Sequence, residues 1–212
     1  MEFSTFLKYV PKIAKETLPA AFAHSKMIPP NRFELLNNQD YSTFNPRYAS
    51  VLMLLYPKNK ITHLVLILRN TYPGIHSSQI AFPGGKNEKE DASFAQTALR
   101  ETHEEIGIPA HKITIIKPFT EVYIPPSNFL VSPFLGFSSD ELKFTPNPDE
   151  VTKIIEISVT KFLDDSILTN LIMSTNDQKE IEVPAFQLDK HLVWGATAMM
   201  MSELKETLKS VF

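Results

Sequence analysis

Three glutamates crowd into the short segment 100–107, where Glu101, Glu104 and Glu105 follow Arg100. In an α-helix, positions three and four apart are neighbours on one face, so these carboxylates would form a single acidic stripe. Such a stripe repels itself unless cations lie among the carboxylates, and hard divalent cations such as Mg²⁺ prefer oxygen ligands. A solvated acidic surface is the ordinary alternative for a run of charges on a helix. A fold that uses the stripe must pack one side of this helix and present the acids on the other.

Local signals place the ends of that helix. Ser93 followed by Gln96 has the spacing of a capping box, and Gly107 stands where a helix commonly terminates. The pattern predicts a helix over residues 93–106, with Phe94, Ala98 and Ile106 on the packed face and the carboxylates exposed away from it.

Apolar runs elsewhere predict strands that alternate with a few helices. Strands are predicted over residues 49–56, 62–68, 113–124, 130–137, 151–159 and 181–188, and helices over 161–167 and 196–211. Pro184 would place the strand over 181–188 at a sheet edge or a bulge. Residues 1–30 are predicted to form short helical pieces divided by Pro11 and Pro19. Together these pieces would form an N-terminal extension that packs on the domain. Together these elements indicate an α/β layered fold.

Composition restricts the class of protein. A chain of 212 residues with 43% hydrophobic residues suits one domain, here spanning residues 1–212. The net charge of −3 gives no general attraction to nucleic acid, and the lack of cysteine rules out disulfides and thiol catalysis. No apolar run is long enough to span a membrane. We therefore expect a soluble cytoplasmic protein.

The residues around the acidic stripe resemble the Nudix box. Phe82-Pro83-Gly84-Gly85 precede the helix, and the stretch from Arg100 to Gly107 matches the second half of the box fully. In the first half, Asp91 takes the place of a glutamate, and the stretch from it to Arg100 is one residue longer. The resemblance implies a mixed β-sheet sandwiched between α-helices. It also implies a pyrophosphohydrolase that cleaves a diphosphate bond in a nucleotide conjugate with the help of Mg²⁺ or Mn²⁺.

A second set of residues is similar to the coenzyme A diphosphatase branch of that family. Leu66-Ile67-Leu68-Arg69, His76, Gln79 and the Phe82–Gly85 run match its signature, and residues 129–133 and 193–198 are also similar, so the likeness spans about residues 48–210. Gly74 stands where the branch usually has arginine, and Ser78 where it usually has glycine. The resemblance implies cleavage of coenzyme A or an acyl derivative to phosphopantetheine and adenosine 3′,5′-bisphosphate.

The resemblance also implies roles for individual residues. Glu101, Glu104 and Glu105 would bind the metal, together with the carbonyl of Gly85. Arg100 would hold the box together by pairing with Asp91 or Glu104. The general base stays open between Glu101 and Glu150. The expected substrate contacts are Arg69, His76, Gln79, Lys86 and Phe129, whereas Trp194 is assigned to the core.

Three other functions compete with this one. The same chemistry could act on ADP-ribose or dinucleoside polyphosphates, or the chain could bind a nucleotide without turnover. A protein-binding scaffold with an incidental acidic helix is the third. The intact Arg-Glu and Glu-Glu pairs favour catalysis, and a homodimer is expected by analogy with the fold.

Overall fold

A long β-hairpin forms the centre of the fold in the computed structural model, which describes residues 1–37, 40–70, 79–174 and 180–212. Strands β1 (Arg47–Lys58) and β2 (Ile61–Arg69) are antiparallel and are joined by Asn59 and Lys60, both at positive φ. Side chains of β1 alternate between two hydrophobic clusters, with Leu52 and Leu54 in one and Met53 and Leu55 in the other. Both faces of the hairpin are therefore buried, which confirms the two strands predicted there.

The remaining strands of the main sheet flank this hairpin. They are β3 (Ile80–Ala81), β4 (Gly84–Lys86), β5 (Thr114–Pro118), β6 (Val122–Ile124), β7 (Phe129–Phe137) and β8 (Val151–Ser158). β7 runs parallel to β1, whereas the other pairings are antiparallel, so the sheet is mixed. The prediction of a single strand over residues 113–124 was wrong. The segment divides into β5 and β6 because Thr120 leaves the ladder and bonds to Glu203 instead.

Helices cover both faces of the sheet. α3 (Phe94–Ile106) packs on β1 at one face, and α1 (Phe3–Lys15), α4 (Val159–Leu163) and α5 (Gly195–Val211) lie at the other. α2 (Ala20–Ser25) packs on α5. The predicted mixed sheet between helices is confirmed. The helix expected over 161–167 instead begins at Val159, because Ser158 caps it, and a 3₁₀ turn (Asp165–Ile167) follows.

The N-terminal residues contact the hairpin turn and the last helix. The amide of Phe3 donates to the carbonyl of Lys60 at 2.8 Å, and the Lys12 Nζ donates to the carbonyl of Val211 at 2.9 Å. Pro11 lies inside α1 and does not divide it, contrary to expectation. The proline costs the helix only the amide donor to the carbonyl of Leu7, a residue that is 38% exposed. Two 3₁₀ segments (Pro30–Asn37 and Ser42–Phe44) lead into β1.

A second sheet was only partly predicted. It contains β9 (Leu168–Ser174), β10 (Glu180–Leu188) and β11 (His191–Trp194), in the order β11-β10-β9. Pro184 thus lies in the central strand, so the predicted edge position was wrong. Pairing between β10 and β11 begins only at Ala185, so at Pro184 strand β10 is paired with β9 alone. A proline, which has no amide hydrogen, is tolerated at such a position. Within the described ranges, no helix is long and apolar enough to cross a membrane.

Candidate active site

Arg100 connects the acidic helix to the loop that precedes it. Its Nε and Nη2 atoms donate to the two carboxylate oxygens of Asp91, each at 3.0 Å, and Nη2 also donates to the carbonyl of Lys86 at 3.0 Å. The guanidinium holds the pKa of Asp91 well below its usual range. Asp91 also accepts from Thr97 Oγ1 at 2.9 Å. Asp91 therefore braces the loop against Arg100, although it replaces a glutamate and is separated from Arg100 by one residue more than in the family pattern.

The same arginine neutralises the outer part of the acidic stripe. Its Nη1 atom donates to Glu101 Oε1 at 3.0 Å and to Glu104 Oε2 at 2.9 Å. Burial raises the pKa of Glu101, and the nearby Arg100 opposes that rise. Glu104 is more open, with 49% of its side chain exposed. Two of the three carboxylates thus share one cation that comes from the helix itself.

Glu105 is fully buried, so the expected exposed position for this residue was wrong. Its Oε1 atom accepts from Arg69 Nη1 at 2.8 Å, and its Oε2 atom accepts from the amide of Gly84 at 2.8 Å. Burial raises the pKa of Glu105 to about 7, although Arg69 and the Gly84 amide oppose the shift. Glu105 therefore ties α3 to β2 and β4, which the helical pattern alone could not indicate.

The glycine pair fits closely against the acidic stripe. A Cβ atom on Gly85 would lie 2.4 Å from the Glu101 carboxylate, and a Cβ on Gly84, at φ +155°, would lie 2.3 Å from the carbonyl oxygen of Ser50. No side chain can be placed at either position without displacing these neighbours. The backbone of Gly85 is thereby brought directly against Glu101.

Glu150 reaches the same region from the loop before β8. Its backbone carbonyl accepts from the amide of Asn70 at 2.9 Å, and its carboxylate accepts from Asn147 Nδ2 at 3.2 Å. The negative charge of Glu150 contributes to the raised pKa of both Glu101 and Glu105. The fold therefore brings Glu150 towards the acidic stripe.

The donor atoms at this site suit a hard divalent cation. Carboxylate oxygens and a backbone carbonyl are the ligands that Mg²⁺ and Mn²⁺ prefer. Among the described residues, no three His, Asp or Glu side chains are close enough to hold an ion as they stand. Arg100 and Arg69 already bond to these carboxylates. The donor atoms of these residues are therefore suited to a divalent metal ion, which would displace some of the contacts between the arginines and the carboxylates.

A cleft of about 400 Å³ adjoins the stripe. Its lining contains most of the residues predicted to contact substrate or metal from outside α3: Arg69, Gln79, Gly85, Lys86 and Phe129. His76 lies outside the described residues, as do the departures at Gly74 and Ser78. Five of the predicted residues, which come from three strands and a loop, are therefore brought to one cleft.

Two further residues of the cleft were not anticipated. Trp194 is only partly buried and lines the cleft, so its assignment to the core was wrong. The family likeness of residues 193–198 was the signal that could have placed it. Arg32 enters from the 3₁₀ segment Pro30–Asn37, and no sequence signal marked it. The guanidinium of Arg47 lies 4.2 Å from the Phe129 ring centroid and supports that ring from outside the cleft lining.

Comparison with known proteins agrees with this geometry. The NUDIX domain family model matches residues 45–169. Two curated relatives carry the name Uncharacterized Nudix hydrolase NudL. The one from Photorhabdus laumondii is 33% identical over 78% of this chain and 87% of its own length. The one from Pectobacterium atrosepticum is 31% identical over 88% of this chain and 95% of its own length.

Solved structures show the same fold. RenU, a Nudix hydrolase from M. smegmatis, matches with a TM-score of 0.54 at 17% identity, over 79% of this chain and 88% of that one. A MutT/nudix family protein from Enterococcus faecalis matches with a TM-score of 0.51 at 17% identity, over 88% of this chain and 74% of that one. Family model, relatives and fold agree, and this chain belongs to the Nudix family of pyrophosphohydrolases.

Proposed function

We propose that this enzyme hydrolyses the diphosphate bond of coenzyme A or an acyl-coenzyme A to phosphopantetheine and adenosine 3′,5′-bisphosphate. The main support is the cleft, which carries Arg32, Arg69 and Lys86 and, among the described residues, no carboxylate, and which meets the acidic stripe at Gly85. The cleft also has an apolar wall that includes Phe129 and Trp194. A substrate with several phosphates, a purine and a less polar arm suits this combination.

The metal site would be formed by the acidic stripe and the glycine pair. Glu101, Glu104 and Glu105, with the carbonyl of Gly85, would hold Mg²⁺ or Mn²⁺. Such an ion, when bound, supplies positive charge to the phosphate oxygens and lowers the pKa of a bound water. Arg100 keeps the stripe and the loop in register through its paired bonds to Asp91.

Residues of the cleft would bind and orient the substrate. Arg69 and Lys86 offer positive charge to the diphosphate oxygens, and Gln79 offers a hydrogen bond from the same wall. Phe129 would pack its ring against the adenine, since Arg47 already supports the ring from elsewhere. Contact of His76 with substrate stays a prediction.

The general base stays open between Glu101 and Glu150. Glu101 accepts a hydrogen bond from Arg100, but burial outweighs this contact and raises the pKa of Glu101, so its carboxylate stays a candidate proton acceptor. The carboxylate of Glu150 accepts from the neutral amide of Asn147, and its charge acts on Glu101, so Glu150 stays the alternative base.

Product analysis by mass spectrometry tests the substrate directly. The protein would be incubated with Mg²⁺ or Mn²⁺ and a panel of coenzyme A, acetyl-coenzyme A, ADP-ribose, NADH and diadenosine polyphosphates. We expect phosphopantetheine and adenosine 3′,5′-bisphosphate to appear first. Faster cleavage of another compound would overturn the coenzyme A assignment, and no metal-dependent cleavage of any would favour nucleotide binding without turnover.

A pair of variants separates site chemistry from a general charge effect. Glu101→Gln should lower turnover by about 100-fold or more, because it removes a charged oxygen beside Gly85. Glu90→Gln alters an exposed acid in the loop and serves as the matched control. Equal losses in both variants would contradict the assigned site.

Three wider features stay predictions. They are a cytoplasmic location, a single domain over residues 1–212 with residues 1–30 packed on it, and a homodimer. The edge strand β9 supports the last of these, because it carries no charged residue and exposes 69% of Ile172. Uncharged edges of this kind are templates for pairing with another chain.

A further inference from the structure

Arg32 brings a positive charge into the cleft from outside the segment that the Nudix family model matches. It lies in the 3₁₀ segment Pro30–Asn37, where its amide donates to the carbonyl of Pro29 at 2.9 Å. The family model begins only at residue 45. Its presence in the cleft is therefore a property of this chain's N-terminal region and not of the Nudix box.

Arg32 is partly buried, and its guanidinium has no acceptor within the described part of the chain. By contrast, Arg69 in the same cleft is already paired with Glu105 at 2.8 Å. Glu121, which borders a neighbouring cavity with Arg32, accepts from Ser132 Oγ and forms no ion pair with Arg32. A guanidinium has five N–H donors, and leaving it partly desolvated and unpaired is unfavourable. An anionic ligand would relieve that cost.

Arg32 lines the cleft with Arg69 and Lys86, but its surroundings differ from theirs. It also borders a smaller cavity of about 40 Å³, together with Tyr41 and Met199. None of the residues beside the stripe, namely Arg69, Gly85 and Lys86, lines that smaller cavity. Arg32 therefore offers its charge where the cleft adjoins this second cavity, which the cations beside the stripe do not border.

We propose that Arg32 binds a phosphate monoester of the substrate, distinct from the diphosphate that is cleaved. The inference rests on the proposed function. A guanidinium matches two phosphate oxygens at once, and a monoester carries between one and two negative charges near neutral pH. For coenzyme A this group is the 3′-phosphate of the ribose. Arg32 thereby supplies, from the N-terminal region, the kind of charge that the sequence lacks at Gly74.

Kinetic discrimination between two coenzymes tests this role. Coenzyme A and 3′-dephospho-coenzyme A share the same diphosphate and differ only in the monoester. In the wild type, kcat/KM should favour coenzyme A, mostly through KM. Arg32→Ala should lower that preference by about 10- to 100-fold, the usual worth of a charged hydrogen bond. Arg32→Lys keeps the charge without the planar fork and should retain part of the preference.

Lys26→Ala is the matched control, because Lys26 is a nearby cation that does not line the cleft and pairs with Glu206. It should keep the wild-type preference. Equal kcat/KM for the two coenzymes in the wild type, or an unchanged preference in Arg32→Ala, would overturn the proposal. Thermal melts of each variant establish that the protein compared is folded.

A binding measurement separates this proposal from the reaction itself. Trp194 is the single tryptophan of the chain and lines the same cleft, so its fluorescence reports on ligands there. Adenosine 3′,5′-bisphosphate should bind more tightly than adenosine 5′-monophosphate, and Arg32→Ala should remove most of that difference. This result would stand even if coenzyme A were not the substrate. Equal affinities for the two nucleotides in the wild type would overturn the subsite.

Discussion

At the scale of single residues, Glu105 should make the stability of the metal-free protein depend on pH. Its pKa is about 7 in the folded protein, against an ordinary value of 4.5. The folded state therefore binds more protons than the unfolded state between these values, so stability falls as pH rises from about 4.5 to about 7. The shift corresponds to at most about 3 kcal/mol.

Urea unfolding in the presence of a chelator, at pH 5 and at pH 8, measures this effect. Glu105→Gln should reduce the difference between the two pH values, because the side chain can no longer ionise. Glu90→Gln, at an exposed position, should leave the difference as in the wild type. An unaltered difference in Glu105→Gln would mean that Arg69 keeps the buried carboxylate charged at both pH values.

The residues of the acidic stripe also show how far local reasoning reaches. Helical spacing placed Glu101 and Glu104 beside each other, and the pairing of Arg100 with Asp91 and Glu104 has the expected partners. The burial of Glu105 could not be predicted, because it depends on Arg69 and Gly84, which arrive from other elements. A periodic pattern gives the face of a helix, whereas burial requires knowledge of what packs on that face.

At the scale of elements, the turn between β1 and β2 offers a stabilising substitution. Lys60 has φ 65° and Asn59 has φ 49°, and positive φ at both central residues suits Asn-Gly best. Lys60→Gly should raise the free energy of unfolding by about 0.5–1 kcal/mol, because a Cβ atom is strained in this region. The carbonyl that accepts from Phe3 is kept.

Urea unfolding curves of Lys60→Gly and the wild type measure this gain. Asn59→Ala is the opposite change at the adjacent position and should lower stability. A loss of stability in Lys60→Gly would show that the lysine side chain, and not its backbone conformation, governs the turn.

Elements with strong local signals were predicted, and those that depend on partners were not. The β1–β2 hairpin has two apolar runs around a short polar turn, and α3 has a cap at Ser93 and a terminal Gly107. By contrast, β9 has no fully buried residue, and β4 begins with two glycines. Such segments become strands only because β10 and β1 lie beside them.

At the scale of the whole molecule, the cleft is assembled from distant parts of the chain. Arg32, Arg69, Gly85, Phe129 and Trp194 belong to five different segments, and three of these meet through β1, β2 and β7. The family signature indicated the middle three, because they lie within or near its motifs. The likeness of residues 193–198 could also have placed Trp194, whereas Arg32 is positioned by the packing of the N-terminal region, which a linear pattern does not describe.

That packing predicts a single cooperative unit. Phe6 in α1 is fully buried in the larger hydrophobic cluster, and its ring centroid lies 6.1 Å from that of Phe137 in β7. Truncation to alanine leaves a cavity between the N-terminal helix and the sheet. We expect Phe6→Ala to lower the free energy of unfolding by about 3–5 kcal/mol.

Chemical denaturation followed by circular dichroism and by Trp194 fluorescence tests this prediction. The two signals should change together in one transition, because α1 shares its core with the sheet. Leu7→Ala removes an apolar side chain from the same helix at a position that is 38% exposed, so it should cost less than about 1 kcal/mol. Separate transitions, or equal losses in the two variants, would show that residues 1–30 are an independent attachment, and Arg32 would then lack the rigid support that its place in the cleft requires.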